Sequence, residues 1–174
     1  MKGLRRIGIL VIVAVLLVGI GVAMGKQGLR VAPEPGYVAP NFTLTDFQGK
    51  QLSLSDFRGK LVFVNFWASW CPPCKAETPA LVKMYHRYGS RISFLGVNLT
   101  GSDNALNARA FIKQMGITYP VLMDTTLSVS QQYRVLGIPT SLFINRKGVV
   151  VARVTGDMSP ALMRHDFQQL LAAG

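Results

Sequence analysis

The sequence predicts an α/β sandwich, a mixed central sheet flanked by helices. Three observations point there. The run "LVFVNFW", Leu61 to Trp67, is apolar and aromatic throughout, as a strand buried on both faces would be. Strand-like and helix-like patterns alternate after it. The chain then closes with an antiparallel hairpin and one last helix. Its 174 residues suffice for one compact domain plus an appendage.

Each element has its own signal. Residues Val31 to Pro40, "VAPEPGYVAP", hold three prolines and one glycine and read as a stiff, extended linker. Asn41 to Asp56 reads as two short strands: "FTLTDF" alternates, "QGK" turns and "QLSLSDF" alternates again. "RGK" breaks the chain before the buried strand. A helix follows the two cysteines, with Leu81, Met84, Tyr85 and Tyr88 at helical spacing. "ISFLGVN", Ile92 to Asn98, is a second buried strand. "SDN", Ser102 to Asn104, can cap a helix whose apolar stripe is Ala108, Phe111, Ile112 and Met115. "YPVLMD" is a short strand and "TLSVSQQYRV" a helix. "TSLFIN", the turn "RKG" and "VVVARVTG" form the hairpin. Ser159-Pro160 starts the final helix, which buries Met163, Phe167, Leu170 and Leu171.

The front of the chain is different. Ile7 to Gly25 carries nineteen residues without a charge, about 28 Å as a helix, close to the thickness of a bilayer core. Lys2, Arg5 and Arg6 precede it, and Lys26 and Arg30 follow. Residues 1–6 are expected on the cytoplasmic side, 7–25 as a signal-anchor helix, 26–38 as an extracytoplasmic linker and 39–174 as the folded domain. A cleaved signal has a shorter core, about 7–15 residues, although Gly21-Val22-Ala23 is a small-x-small exit it would use. From Val31 onward there are fourteen Lys and Arg against eight Asp and Glu. No basic run interleaved with aromatics accompanies that charge, so it reads as a solvated face near anionic lipid or acidic partners, not as a nucleic-acid surface.

The only two cysteines stand three apart in "WCPPCKAETPAL". A zinc site needs four ligands, and His86 and His165 lie on predicted helices away from the pair, so no metal is expected. Covalent haem attachment needs histidine directly after the second cysteine, where Lys75 stands. An inert disulfide closing so small a loop would stabilise little. Redox chemistry remains, with no cofactor. A strand runs into Cys71 and a helix starts after it, so helix dipole and free N–H groups favour thiolate there. Cys71 is therefore the expected accessible nucleophile, and Cys74, one turn on, the resolving thiol. Pro72 and Pro73 lack backbone N–H, which leaves mainly that of Cys74 to hold the thiolate. A less stabilised dithiol is a more reducing couple, so the protein is expected to donate electrons. Glu77 lies one turn beyond Cys74, as a proton shuttle for a cysteine would. Spacing alone leaves a solvated surface glutamate equally open. Trp70 should shape the groove, with Pro72 beside it. Pro139 in "GIPTSLFIN" stands where a cis bond is plausible, and would leave the Ile138 backbone free to pair with an extended substrate peptide; without the cysteine motif it would read as a turn proline.

"FVNFWASWCPPCKAETPAL", "GIPTSLFIN" and "VARVTGDMS" together resemble the thioredoxin superfamily, in its membrane-anchored extracytoplasmic branch of TlpA-like and ResA-type thiol-disulfide oxidoreductases. The resemblance covers Ala39 to Leu171. It implies a thioredoxin-like fold with the Asn41–Asp56 hairpin added and a central strand-helix insertion over Thr100 to Tyr119. It makes Pro139 the cis proline and Pro79 the proline that bends the active-site helix, and it matches Glu77 to the glutamate of ResA-type proteins. Two places depart from relatives: Asn65 stands where cytoplasmic thioredoxins carry a buried aspartate, and Pro72 where ResA-type proteins carry an acidic residue. The implied function is reduction of the haem-binding disulfide of apocytochrome c, with electrons from a CcdA- or DsbD-type membrane thiol transporter. The alternatives are a general envelope or sporulation reductase, a peroxiredoxin-like peroxidase, whose cysteine is flanked by threonine, and an SCO-type copper chaperone, whose cysteines stand four apart.

Overall fold

The computed structural model describes residues 30–174. The predicted span Ile7–Gly25 lies outside the described residues, and among those described no helix is long and apolar enough to cross a membrane. Val31–Gly174 forms one compact unit.

Seven strands make one mixed sheet. They are β1 (Thr43–Asp46), β2 (Gln51–Ser53), β3 (Leu61–Trp67), β4 (Ile92–Asn98), β5 (Val121–Met123), β6 (Thr140–Ile144) and β7 (Val150–Thr155), in the order β2-β1-β5-β4-β3-β6-β7. β3 is parallel to β4, and β4 to β5; the other pairs are antiparallel. Among the described residues three α-helices connect strands, α1 (Pro72–Tyr88), α2 (Ala105–Met115) and α3 (Ser128–Gln132), and α4 (Pro160–Ala172) follows β7.

The two-residue period of β3 explains both cores. Leu61, Phe63 and Trp67 point to one face, where they meet Leu81, Met84 and Tyr88 of α1, Phe111 of α2, and Met163, Phe167 and Leu170 of α4. Val62, Val64 and Phe66 point to the other, where they meet Leu52, Leu54, Val129 and Tyr133. Phe167 is the hub of the first face, with ring centroids 4.9 Å from Phe63 and 5.1 Å from both Phe94 and Phe143. Asn65 falls in register with the α1 face, which decides what its amide can reach.

Three expectations change. "QLSLSDF" is not strand throughout: β2 stops at Ser53, and Leu54–Phe57 forms a 3₁₀ turn. The Ser53 N–H donates to Asp56 Oδ2 at 2.8 Å, and this local bond bends the chain out of the sheet. The span Thr100–Tyr119 contains a helix but no strand; the strand of the insertion, β5, follows at Val121. The proline-rich stretch is docked, not free. Gly36 N–H donates to the Val150 carbonyl at 2.9 Å and Ala39 N–H to that of Gly148 at 2.9 Å. Arg153 Nη1 holds the Pro33 carbonyl at 2.9 Å, and the Tyr133 hydroxyl that of Pro40 at 2.5 Å. The compact unit therefore starts near Val31, before the expected boundary at Ala39.

Candidate active site

β3 delivers the chain to the site. It ends at Trp67, four residues before Cys71, and the first turn of α1 begins at Pro72. Cys71 is the N-cap of α1, with extended backbone dihedrals, and Pro72 and Pro73 occupy the first two helical positions. Proline suits those positions because its fixed φ is helical and its missing N–H has no intrahelical partner there. Among the described residues the Cys74 N–H, at 3.2 Å, is the one backbone donor to Cys71 Sγ, as the double proline predicts.

Cys71 and Cys74 are joined as a disulfide, with Cα atoms 5.3 Å apart. Both residues are 2% exposed, so the pair is less open than the expected accessible nucleophile. Cys71 Sγ lies 3.6 Å from the Ile138 carbonyl oxygen, across from the cis Ile138-Pro139 bond. Ile138 is half-buried and Pro139 buried. Gly156 N–H donates to the Pro139 carbonyl at 2.8 Å, which fixes this ledge to the end of β7. Trp70 is 54% exposed on the other rim, its Nε1 donating to the Ser102 carbonyl at 3.1 Å, and Pro72 is exposed beside it. The structure thus gathers Trp70, Pro72, Ile138 and Pro139 around the disulfide.

Glu77 is buried on the inner face of α1, 4% exposed. Its Oε1 accepts from Asn65 Nδ2 at 3.1 Å, and its Oε2 from the Met158 N–H at 3.2 Å. Burial raises its pKa from an ordinary 4.5 to about 7, against the pull of those two bonds; the negative charge of Asp157 adds to the rise. Such a carboxyl can take up or release a proton near neutrality. Burial, and then the Glu77 charge, also push the Tyr119 phenol well above its usual range.

Two parts of the site escaped the sequence reading. Asn65 does more than fail to titrate: its Nδ2 donates to both Glu77 and Ser141 Oγ, at 3.1 and 3.0 Å, and so aims the carboxyl. Asp103, read as part of a cap, faces the cysteine loop. Its carboxylate accepts from Ser69 N and Oγ, both at 2.6 Å, from Asn98 Nδ2 at 2.7 Å and from Asn104 N at 2.8 Å. Asn104 is the true cap, accepting from Leu106 N and Asn107 N. In the sequence Asp103 shows only as the middle residue of the capping stretch Ser102 to Asn104.

Comparison with known proteins agrees with this geometry. The AhpC/TSA family model matches residues 35–153. Thiol-disulfide oxidoreductase ResA of Bacillus subtilis is 38% identical over 100% of this chain and 98% of its own length. The crystal structure of a thiol:disulfide interchange protein of the thioredoxin family from Chlorobium tepidum superposes with a TM-score of 0.70 at 31% identity, over 79% of this chain and 97% of that one. StoA from Bacillus subtilis gives 0.65 at 28% identity, over 75% and 98%.

Proposed function

Because the chain belongs to the AhpC/TSA family of thioredoxin-like proteins, and within it to the ResA-type thiol-disulfide oxidoreductases, we propose that it works as an extracytoplasmic reductase whose client is the haem-binding CxxCH disulfide of apocytochrome c. Its thiol-disulfide oxidoreductase activity follows from that membership and from the Cys71–Cys74 pair. The client, the electron donor and the cellular location belong to the proposal.

In the reduced enzyme the Cys71 thiolate attacks one sulfur of the client disulfide. A Cys71–client mixed disulfide forms and one client thiolate leaves. Cys74 then passes its proton to the Glu77 carboxylate and attacks Cys71 Sγ. The second client thiolate departs, and the Cys71–Cys74 disulfide closes. Two electrons have moved to the client. A membrane thiol transporter of the CcdA or DsbD type supplies two new electrons: its thiolate attacks the Cys71–Cys74 disulfide, its second thiol resolves the mixed disulfide, and the transporter is left oxidised with Cys71 and Cys74 reduced. The Ile138 backbone, with Pro139 beside it, and Trp70 hold the client strand across the pair. Ile7–Gly25 anchors the chain as a single span, with residues 1–6 in the cytoplasm and the catalytic domain outside.

One observation carries the reductive direction: Cys71 Sγ sits at a helix start yet, among the described residues, accepts a single backbone N–H, because Pro72 and Pro73 have none to offer. A weakly held thiolate makes the dithiol a ready electron donor. The test is trapping in cells with Cys74→Ala, followed by identification of whatever is bound to Cys71. Apocytochrome c and a membrane thiol transporter are expected. Normal haem staining of c-type cytochromes in a deletion strain would instead make this a general envelope or sporulation reductase. A reduction potential above about −180 mV, that of protein disulfide isomerase, would overturn the direction.

A further inference from the structure

The end of the sheet remote from Cys71 carries a feature the redox chemistry does not use. A bowl of about 640 Å³ opens there, lined by Lys60, Arg91 and Arg146 with Ser90 and Ser93, and, among the described residues, by no Asp or Glu side chain. Each cation is steadied by a neutral group. Arg146 Nη1 donates to the Gly59 carbonyl at 2.9 Å; the Arg91 guanidinium lies 5.5 Å from the Tyr88 ring centre, and Lys60 Nζ 5.7 Å from that of Phe57. Their charge is therefore placed, and no Asp or Glu side chain of the described residues pairs with it; the Gly174 backbone lies against Leu61 and beside Arg146 Nε. Arg58 and Lys147 stand exposed beside them.

Topology fixes where this bowl points. β3 begins at Leu61, next to Lys60, and runs seven residues toward the cysteines, about 23 Å of strand. The domain's own first residues lie at the bowl's end: Val31 bridges to Val38, and Val38 to Val149, in the turn that bears Arg146 and Lys147. Counting back from Val31, only residues 26–30 separate the domain from the uncharged run ending at Gly25, a tether of under about 20 Å.

We propose that this bowl is a docking surface for the phosphate headgroups of an anionic bilayer leaflet, and that it holds the domain with its disulfide end turned away from the lipid. The proposal rests on the reading of Ile7–Gly25 as an anchor. Charge complementarity and the short tether argue for lipid: three placed cations and two serine hydroxyls suit phosphate oxygens, and each cation near an anionic surface contributes about fivefold in affinity.

The test uses the full chain reconstituted in nanodiscs of phosphatidylcholine, alone or with phosphatidylglycerol. The readout is the acetylation rate of Lys60 by peptide mass spectrometry, with Lys75, exposed near Cys71, as internal control. Phosphatidylglycerol should slow Lys60 at least fivefold and leave Lys75 unchanged. The effect should vanish in high salt and in an Arg91→Glu/Arg146→Glu variant. Equal Lys60 rates in the two lipids, or protection of Lys75 instead, would overturn it. So would protection in plain phosphatidylcholine that needs an added membrane-protein fraction, which would assign the bowl to an acidic protein. Failure of the anchor reading shows separately, as release of the chain from phosphatidylcholine vesicles by alkaline carbonate. In that event salt-sensitive co-flotation with phosphatidylglycerol vesicles, lost in the variant, still supports the bowl, and no flotation of the wild type refutes it.

Discussion

Replacing Glu77 with glutamine should flatten the pH dependence of stability between pH 4.5 and 8. The Glu77 carboxyl is 4% exposed, so solvent screens it little, and burial lifts its pKa from 4.5 to about 7. In that window the folded state binds a proton that the unfolded chain has released, so stability falls as pH rises. The contribution is fully present below pH 4.5 and lost by the time pH passes 7. At about 1.4 kcal/mol per pH unit, the loss is about 3 kcal/mol. Glutamine has no such titration but carries its own cost. One oxygen cannot accept from both Asn65 Nδ2 and the Met158 N–H, and its amide must face one donor with another, for about 1–2 kcal/mol at every pH. The two stability curves should therefore cross: wild type more stable at pH 4.5, Glu77→Gln more stable at pH 8. Urea unfolding of the oxidised proteins at constant salt measures this. Equal falls in both proteins would refute the assignment of the buried charge.

Asp103→Ala should lose about 2–3 kcal/mol at pH 7, because the donors of Ser69, Asn98 and Asn104 lose their common acceptor. Burial pulls Asp103 upward, yet those bonds together hold it below the usual carboxylate range; its contribution is thus present above pH 4 and should fade as acid protonates it, so wild type and variant converge there in thermal melts. Phe167→Ala removes the ring shared by Phe63, Phe94 and Phe143 and should cost about 3–5 kcal/mol in urea titrations. Trp70→Ala should leave stability within about 1 kcal/mol, since the ring is half exposed, while kcat/KM for disulfide reduction of a client peptide falls about tenfold.

The elements that positioned the cysteines were legible because their signals are local. The all-apolar run Leu61–Trp67 and the Cys-Pro-Pro-Cys start of α1 need no distant partner to be read. What stayed hidden depends on residues far along the chain. Asn65 meets Ser141, 76 positions away, and Glu77 meets Met158, 81 away; nothing near either side chain announces the pairing. Glu77 shows its place on the helix but not its surroundings, which Asn65 of β3 and the loop bearing Met158 supply. The prolines of Val31–Pro40 suit an extended linker and a docked strap equally well, and the hydrogen bonds from Gly148 to Arg153 decide between them. The stop of β2 at Ser53 was within reach, since serine followed three residues later by aspartate is a helix-start signature.

Gly156 and Met158, two residues apart, each give their backbone N–H to a different side of the active site: Gly156 to the carbonyl of Pro139, Met158 to the carboxylate of Glu77. One short turn is thus a common yoke for the acid and for the ledge. A redesign that lengthens or stiffens this turn would retune proton supply and strand seating together, and separating the two traits would require altering Asn65 or Ile138 instead.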